Sequence, residues 1–168
     1  MKRWTRVVSL ALLFLAVSTC EPNRTVAPTS PAFEQSLTDS GLRPLSEAGV
    51  ASLLSNATVY ATHVLTGQKW IEYYDRGGAV VRTRIPVDPA AAKAGRPLLF
   101  GSWWGEGDNI CFAYGLSRVT ECYRLYYLDG SLLYIQTESR SQVPAGALLG
   151  YSTEIREGDA ENFPLIGD

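Results

Sequence analysis

Residues 101–130 read G-S-W-W-G-E-G-D-N-I-C-F-A-Y-G-L-S-R-V-T-E-C-Y-R-L-Y-Y-L-D-G, and the spacing inside this stretch decides the fold. Asp129-Gly130 lies between Tyr126-Tyr127-Leu128 and Ser131-Leu132-Leu133. A type I′ turn needs positive φ at both central positions, and Asp-Gly supplies it. That turn pairs Tyr127 with Leu132 and Leu125 with Tyr134. The cysteines place the hairpin before it. If Cys111 faces Cys122, then Phe112 faces Glu121, Ala113 faces Thr120, and Tyr114 faces Val119. Residues 115–118 remain as a four-residue loop. A cross-strand pair has the Cα separation that a disulfide accepts. Closing so short a loop is worth about 2–3 kcal/mol through chain entropy. Two buried thiols are the alternative reading of these cysteines.

With this register Phe112, Tyr114, Val119, Tyr123, Leu125, Leu132 and Tyr134 share one face, which reads as core. Glu121 falls on the same face. A carboxylate there is at a rim, displaced by a bulge, or buried with a partner. The rim is the first expectation.

Working outward, turn signals recur at close spacing from Ala57 onward, as in all-β chains. Strands are expected over residues 58–65, 69–75, 79–85, 97–104, 109–114, 119–128, 131–138 and 146–155. The third alternates Val81, Thr83 and Ile85 against Arg82 and Arg84, and Pro86 stops it. Residues 87–96 read as a Pro- and Ala-containing excursion. Consecutive strands tend to be neighbours, so an antiparallel meander is the economical topology. Eight twisted strands that close on themselves remove their exposed edges. The expected fold is therefore mainly β, a small lipocalin-like barrel or curled sheet with one short N-terminal helix. A two-sheet sandwich is the second choice.

The helix is expected over residues 45–56. Ser46 is a suitable N-cap, with Glu47 in the first turn where the helix dipole favours an anion. Leu45 can fold back on Val50 as a hydrophobic staple. Val50, Leu53 and Leu54 make a narrow apolar stripe. About three turns cannot stand alone, so the helix should plug or cover one end of the sheet.

The N-terminus carries Lys2, Arg3 and Arg6, then an apolar run from Val7 to Val17 broken only by Ser9, then Ser18-Thr19-Cys20. Charged, apolar, small is the order of an export signal over residues 1–19. The run is shorter than the roughly 20 residues that span a bilayer. Its cysteine makes it resemble a bacterial lipoprotein signal, in which Cys20 becomes the lipidated first residue. Thr19 departs from the Gly, Ala or Ser usual there, and cleavage after Ser18 is the alternative. Acylation of Cys20 leaves Cys111 and Cys122 as a pair. Residues 20–40 contain Pro22, Pro28 and Pro31 and no periodicity, so they read as a flexible tether. The β domain is assigned to residues 41–158 and a loose acidic tail to 159–168.

Net charge is −2 for the whole chain. It becomes −5 once residues 1–19 and their three cations are removed, which argues against nucleic acid as a partner. His63 is the single histidine and reads as a surface or rim residue. No metal-ligand spacing, phosphate loop or nucleophile elbow is present. No catalytic residue, metal or cofactor is therefore assigned. Glu106 and Asp108 lie in a G-E-G-D-N turn, which supports a calcium loop only weakly.

The aromatics Trp70, Tyr73, Tyr74, Trp103, Trp104 and Tyr126 exceed what one face of a small core can hold. Adjacent Trp103 and Trp104 must point to opposite faces. Small barrels can hold one small ligand, which makes Trp70, Tyr73, Trp103, Trp104 and Glu121 the candidate binding residues. The alternative is that the extra rings pack the sheet against the helix and loops.

Trp70-Ile71-Glu72-Tyr73-Tyr74, Gly101-Ser102-Trp103, Cys111-Phe112-Ala113-Tyr114 and Cys122-Tyr123 resemble a family of small exported proteins of proteobacteria with no assigned activity. That resemblance implies the fold and the compartment only. The combined expectation is an envelope lipoprotein facing the periplasm, anchored to the membrane through Cys20, or else soluble in the periplasm. Its β domain would be non-catalytic and would bind a small apolar ligand or an envelope protein. A structural or inhibitory module without a cavity is the alternative, and an unrecognised hydrolase is the second.

Overall fold

The computed structural model of the chain describes residues 26–86, 97–115, 120–139 and 142–164. The export segment, Cys20, the 87–96 excursion and Val119 lie outside the described residues.

Eight antiparallel strands form a closed barrel in which every strand pairs with its sequence neighbours and β1 pairs with β8. They are β1 (Ala57–His63), β2 (Lys69–Tyr74), β3 (Ala79–Ile85) and β4 (Leu98–Glu106). β5 (Asn109–Tyr114), β6 (Thr120–Leu128), β7 (Ser131–Gln136) and β8 (Leu148–Glu157) complete it. The barrel form is realised and the sandwich is not. The Asp129-Gly130 turn has φ of 49° and 83° and pairs Leu128 with Ser131, Tyr127 with Leu132 and Leu125 with Tyr134. Cys111 pairs with Cys122, Phe112 with Glu121, and Ala113 with Thr120. The two cysteines form a disulfide with Cα atoms 4.1 Å apart.

The interior is packed with side chains of alternate residues. Val59, Trp70, Tyr74, Val80, Trp103, Ile110, Phe112, Tyr123, Leu125, Leu132 and Tyr134 are all buried in one cluster. α2 (Glu47–Leu54) adds Val50 and Leu54 to that cluster, with Leu45 and Leu53 packed beside them. The Ser46 hydroxyl accepts the Gly49 N–H at 3.3 Å, and the Leu45 N–H donates to the Leu125 carbonyl at 2.7 Å. α2 thus closes the end of the barrel where β1 begins and β6 nears its end, as the plug expectation required. Asn56 leaves the helix at φ 61° and donates its N–H to Tyr74.

Two expectations need correction. The flexible tether expected over residues 20–40 does not extend that far, because Phe33–Asp39 forms α1. Leu37 is buried there against Tyr126, Leu133, Ile135 and Leu148 on the outer barrel face, with Phe33 and Leu42 alongside. The Arg124 guanidinium donates to Glu34 Oε1 at 2.7 Å, and the Tyr126 hydroxyl donates to the same oxygen at 3.1 Å. Sequence pattern hides this helix because it is only seven residues long and isolated helices of that length do not form. The tail is also attached over its first residues. Thr58 Oγ1 donates to the Gly158 carbonyl and accepts the Ala160 N–H, and the Tyr60 hydroxyl donates to Glu161 at 2.8 Å.

Candidate functional site

The end opposite α2 is open. A pocket of about 370 Å³ lies there, near the lower end of the roughly 300–1,000 Å³ typical of small-molecule sites. His63 lines it from the end of β1, Thr66 and Gln68 from the β1–β2 connection, and Trp70 from β2. Arg82 and Arg84 come from β3, Tyr123 from β6 and Leu149 from β8.

The pocket rests on a buried ion pair. Trp70, Glu72 and Tyr74 alternate along β2 and so share the inward face. β2 and β3 pair Glu72 with Arg82 and Trp70 with Arg84, which puts the two arginines on that inward side as well. Glu72 is fully buried. Its Oε1 accepts from Arg82 through Nε and Nη2, and from the Tyr114 hydroxyl at 2.6 Å. Its Oε2 accepts the Trp70 indole N–H at 3.0 Å and the Tyr74 hydroxyl at 2.8 Å. The carboxylate is therefore saturated with donors. Burial alone would raise its pKa, but the Arg82 charge and the phenol and indole donors outweigh burial and hold it below the usual range. Burial disfavours the charged form of Arg82, and the Glu72 carboxylate more than reverses this. Both partners stay ionised.

Arg82 is also gripped by rings. Its guanidinium carbon lies 4.4 Å from the Tyr114 centroid and 5.9 Å from those of Trp70 and Phe112, within cation–π range. Two of its nitrogens serve Glu72. The third, Nη1, is turned toward Glu121, whose carboxylate is 4.0 Å away. The Tyr123 hydroxyl holds that carboxylate at 2.9 Å. Arg84 is exposed at the pocket wall and has no hydrogen-bond or ion-pair partner among the described residues.

His63 is half-buried in the wall. Its Nδ1 accepts the Leu65 and Thr66 N–H groups at 3.2 and 3.4 Å. Burial lowers its pKa, so the ring is neutral near pH 7 and its proton sits on Nε2.

The residues singled out from sequence separate. Trp70 lines the pocket, and Glu121 stands beside Arg82 at the rim, its side chain 37% exposed. Trp103 is buried toward the plugged end, where its indole N–H donates to the Asp75 carbonyl and its ring meets Tyr74 edge-on. Trp104 lies outside, across from Cys111. Tyr73 is buried on the outer face, its hydroxyl donating to Asn56 at 3.1 Å. Glu106 is near the two cysteine sulfurs, but those sulfurs are joined to each other and offer no thiolate. Glu72, Arg82, Arg84 and Tyr114 went unmarked as site residues. The signal that could have found them is the i, i+2, i+4 run Trp70, Glu72, Tyr74, followed one hairpin later by Arg82-x-Arg84.

Fold and site together define a small closed β-barrel, apolar and plugged at one end, with an arginine-lined pocket at the other. Comparison with family models, with curated proteins and with solved structures finds no match.

Proposed function

We propose that the protein is an exported, lipid-anchored binding module that takes a small, partly apolar molecule into the mouth of its barrel. One observation carries this reading: the 370 Å³ pocket sits on a fully formed Glu72–Arg82 pair above the packed core. Such a floor is preorganised, so a ligand does not have to order it on binding. The pocket disfavours the alternative of a module with no cavity. Anchoring through Cys20 would keep the mouth in the periplasm, an oxidising compartment that suits the disulfide.

The module is non-catalytic in this reading. His63 is the residue a hydrolase would use here, and its Nδ1 is occupied by two backbone N–H groups. Among the described residues no carboxylate bonds the ring to orient it, as the third member of a catalytic triad would.

Titration of the ¹⁵N-labelled full-length chain with 4-phenylbutan-1-ol and with 4-phenylbutyrate tests the binding role. At least one should shift the Trp70 indole N–H together with the Leu149 amide. If neither probe moves those signals, the binding reading is wrong. The anchor is tested separately: Cys20→Ser should release the protein from the membrane fraction, and retention there would refute lipidation.

A further inference from the structure

Resting on that binding role, we infer that the mouth selects an organic carboxylate, whose charged head meets Arg82 Nη1 and Arg84 while its apolar body lies on Trp70 and Leu149. Among the described residues, the charged side chains lining the pocket are both arginines. Arg82 is oriented by Glu72, which engages Nε and Nη2 and leaves Nη1 on the side of the rim carboxylate of Glu121. A guanidinium fixed on one edge presents its remaining N–H groups at a set angle, the arrangement that recognises a planar carboxylate. Arg84 has no partner among the described residues to neutralise it. It lies across from Trp70 in the strand register, so a head group between the two arginines places the attached chain over the indole.

The protein already displays the chemistry. Glu121 holds a carboxylate 4.0 Å from Nη1, tied back by the Tyr123 hydroxyl at 2.9 Å. That separation is too long for a direct hydrogen bond. The rim carboxylate therefore approaches the arginine without closing on it, and a ligand carboxylate that reaches hydrogen-bond distance outcompetes it. Glu121 then acts as the resident competitor that raises the threshold for binding.

The test compares 4-phenylbutyrate with 4-phenylbutan-1-ol, which share the apolar body and differ in the head. Calorimetric titration of the full-length chain should show the carboxylate binding about tenfold more tightly or better. Arg84→Gln should remove most of that advantage and leave the alcohol unchanged. Because Arg84 is exposed, this variant should fold, and an unchanged melting temperature checks it. Glu121→Gln keeps an acceptor for Tyr123 and should tighten carboxylate binding by up to about fivefold. Equal affinities for the two probes at the mouth would overturn the carboxylate selection while leaving the binding role intact. Loss of both probes would overturn the binding role itself. A carboxylate preference that survives Arg84→Gln unchanged would also overturn the inference, since it would locate recognition elsewhere.

Discussion

The two ends of this barrel use the same wall and close it by opposite chemistry. At the plugged end α2 adds Val50 and Leu54 to the buried cluster that holds Ile110, Leu125 and Leu132, and the seal is apolar. At the open end the barrel is filled by a carboxylate, a guanidinium and four rings with polar atoms. An apolar seal can be made by any side chains of suitable volume. A buried ion pair cannot, because each charge needs its partner in place. The difference teaches where specificity was invested: the plugged end stabilises, and the open end is held in one arrangement at a cost in desolvation.

The sharpest way to break that contrast is to remove one charge. Glu72→Ala should destabilise the fold by about 3–5 kcal/mol, because Arg82 is left buried without a counter-ion. Replacing both, as in Glu72→Met with Arg82→Leu, should recover most of that loss, yet abolish carboxylate binding at the mouth. Denaturant unfolding of the three proteins reads both effects. Recovery that also restored binding would show that the pair is not the floor of the site.

The same network should be visible to pH. Glu72 has its pKa lowered in the fold. Its stabilisation is therefore full above the ordinary carboxylate range and is lost as pH falls through the depressed folded value. The phenols run the other way. Burial pushes Tyr74 and Tyr114 well above 10.0, with Glu72 adding to the rise, and raises Tyr123 and Tyr134 too. Their contribution is complete below the unfolded value near 10 and declines above it, as the unfolded chain ionises first. Phenolate absorbance for these tyrosines should appear only together with loss of barrel circular dichroism. Ionisation of every tyrosine while the barrel signal persists would contradict a closed interior.

The plugged end should respond to volume alone. Leu54 is fully buried, and Leu54→Ala should cost about 3 kcal/mol as a cavity. No second-site charge change should rescue it, and probe binding at the mouth should be unaffected. A smaller effect belongs to the open end. A Cβ on Gly150 would come within 2.5 Å of Trp70 Cη2 and 2.8 Å of the Thr62 carbonyl oxygen. Gly150→Ala should therefore cost about 1–3 kcal/mol by overpacking. It should also displace the indole that lines the pocket and weaken binding of both probes alike.

These two ends were not equally legible in the sequence. The disulfide register and the Asp129-Gly130 turn depend on residues close together in the chain, so local rules paired β5 with β6 and β6 with β7 correctly. The plug was legible because Ser46, Glu47 and the Val50, Leu53, Leu54 stripe form a local pattern. The open end was not, because β2 and β3 are buried on both faces. Ile71 and Tyr73 are buried as Glu72 and Tyr74 are, and Val81 and Thr83 are buried beside the inward Arg82. Alternation separates two faces but does not say which one is inside when both are covered. The Glu72–Arg82 pair could be found only by combining the inward run of β2 with its register against β3. Glu121 shows the reverse case: its place on an apolar face was readable, and its rim position follows from lying at the mouth rather than mid-barrel.

The smallest expected effect bears most directly on whether the two ends are independent. Ser46 Oγ accepts the Gly49 N–H and satisfies one donor at the start of α2, so Ser46→Ala should cost about 1 kcal/mol. The helix it caps touches β4, β1 and β5, whereas the mouth is lined from β2, β3, β6 and β8 and by His63 at the far end of β1. A packed aromatic interior separates the two. If the ends are independent, the loss appears in the denaturation midpoint and the carboxylate-to-alcohol affinity ratio stays as in the parent. If capping loss changes that ratio, motion at the plug reaches Arg82 through the Tyr74–Glu72 hydrogen bond, because Tyr74 packs edge-on against Trp103 near the plug and also donates to the carboxylate. Tyr74→Phe deletes that one link while keeping the ring, and in that case it should restore the parent ratio in the Ser46→Ala background.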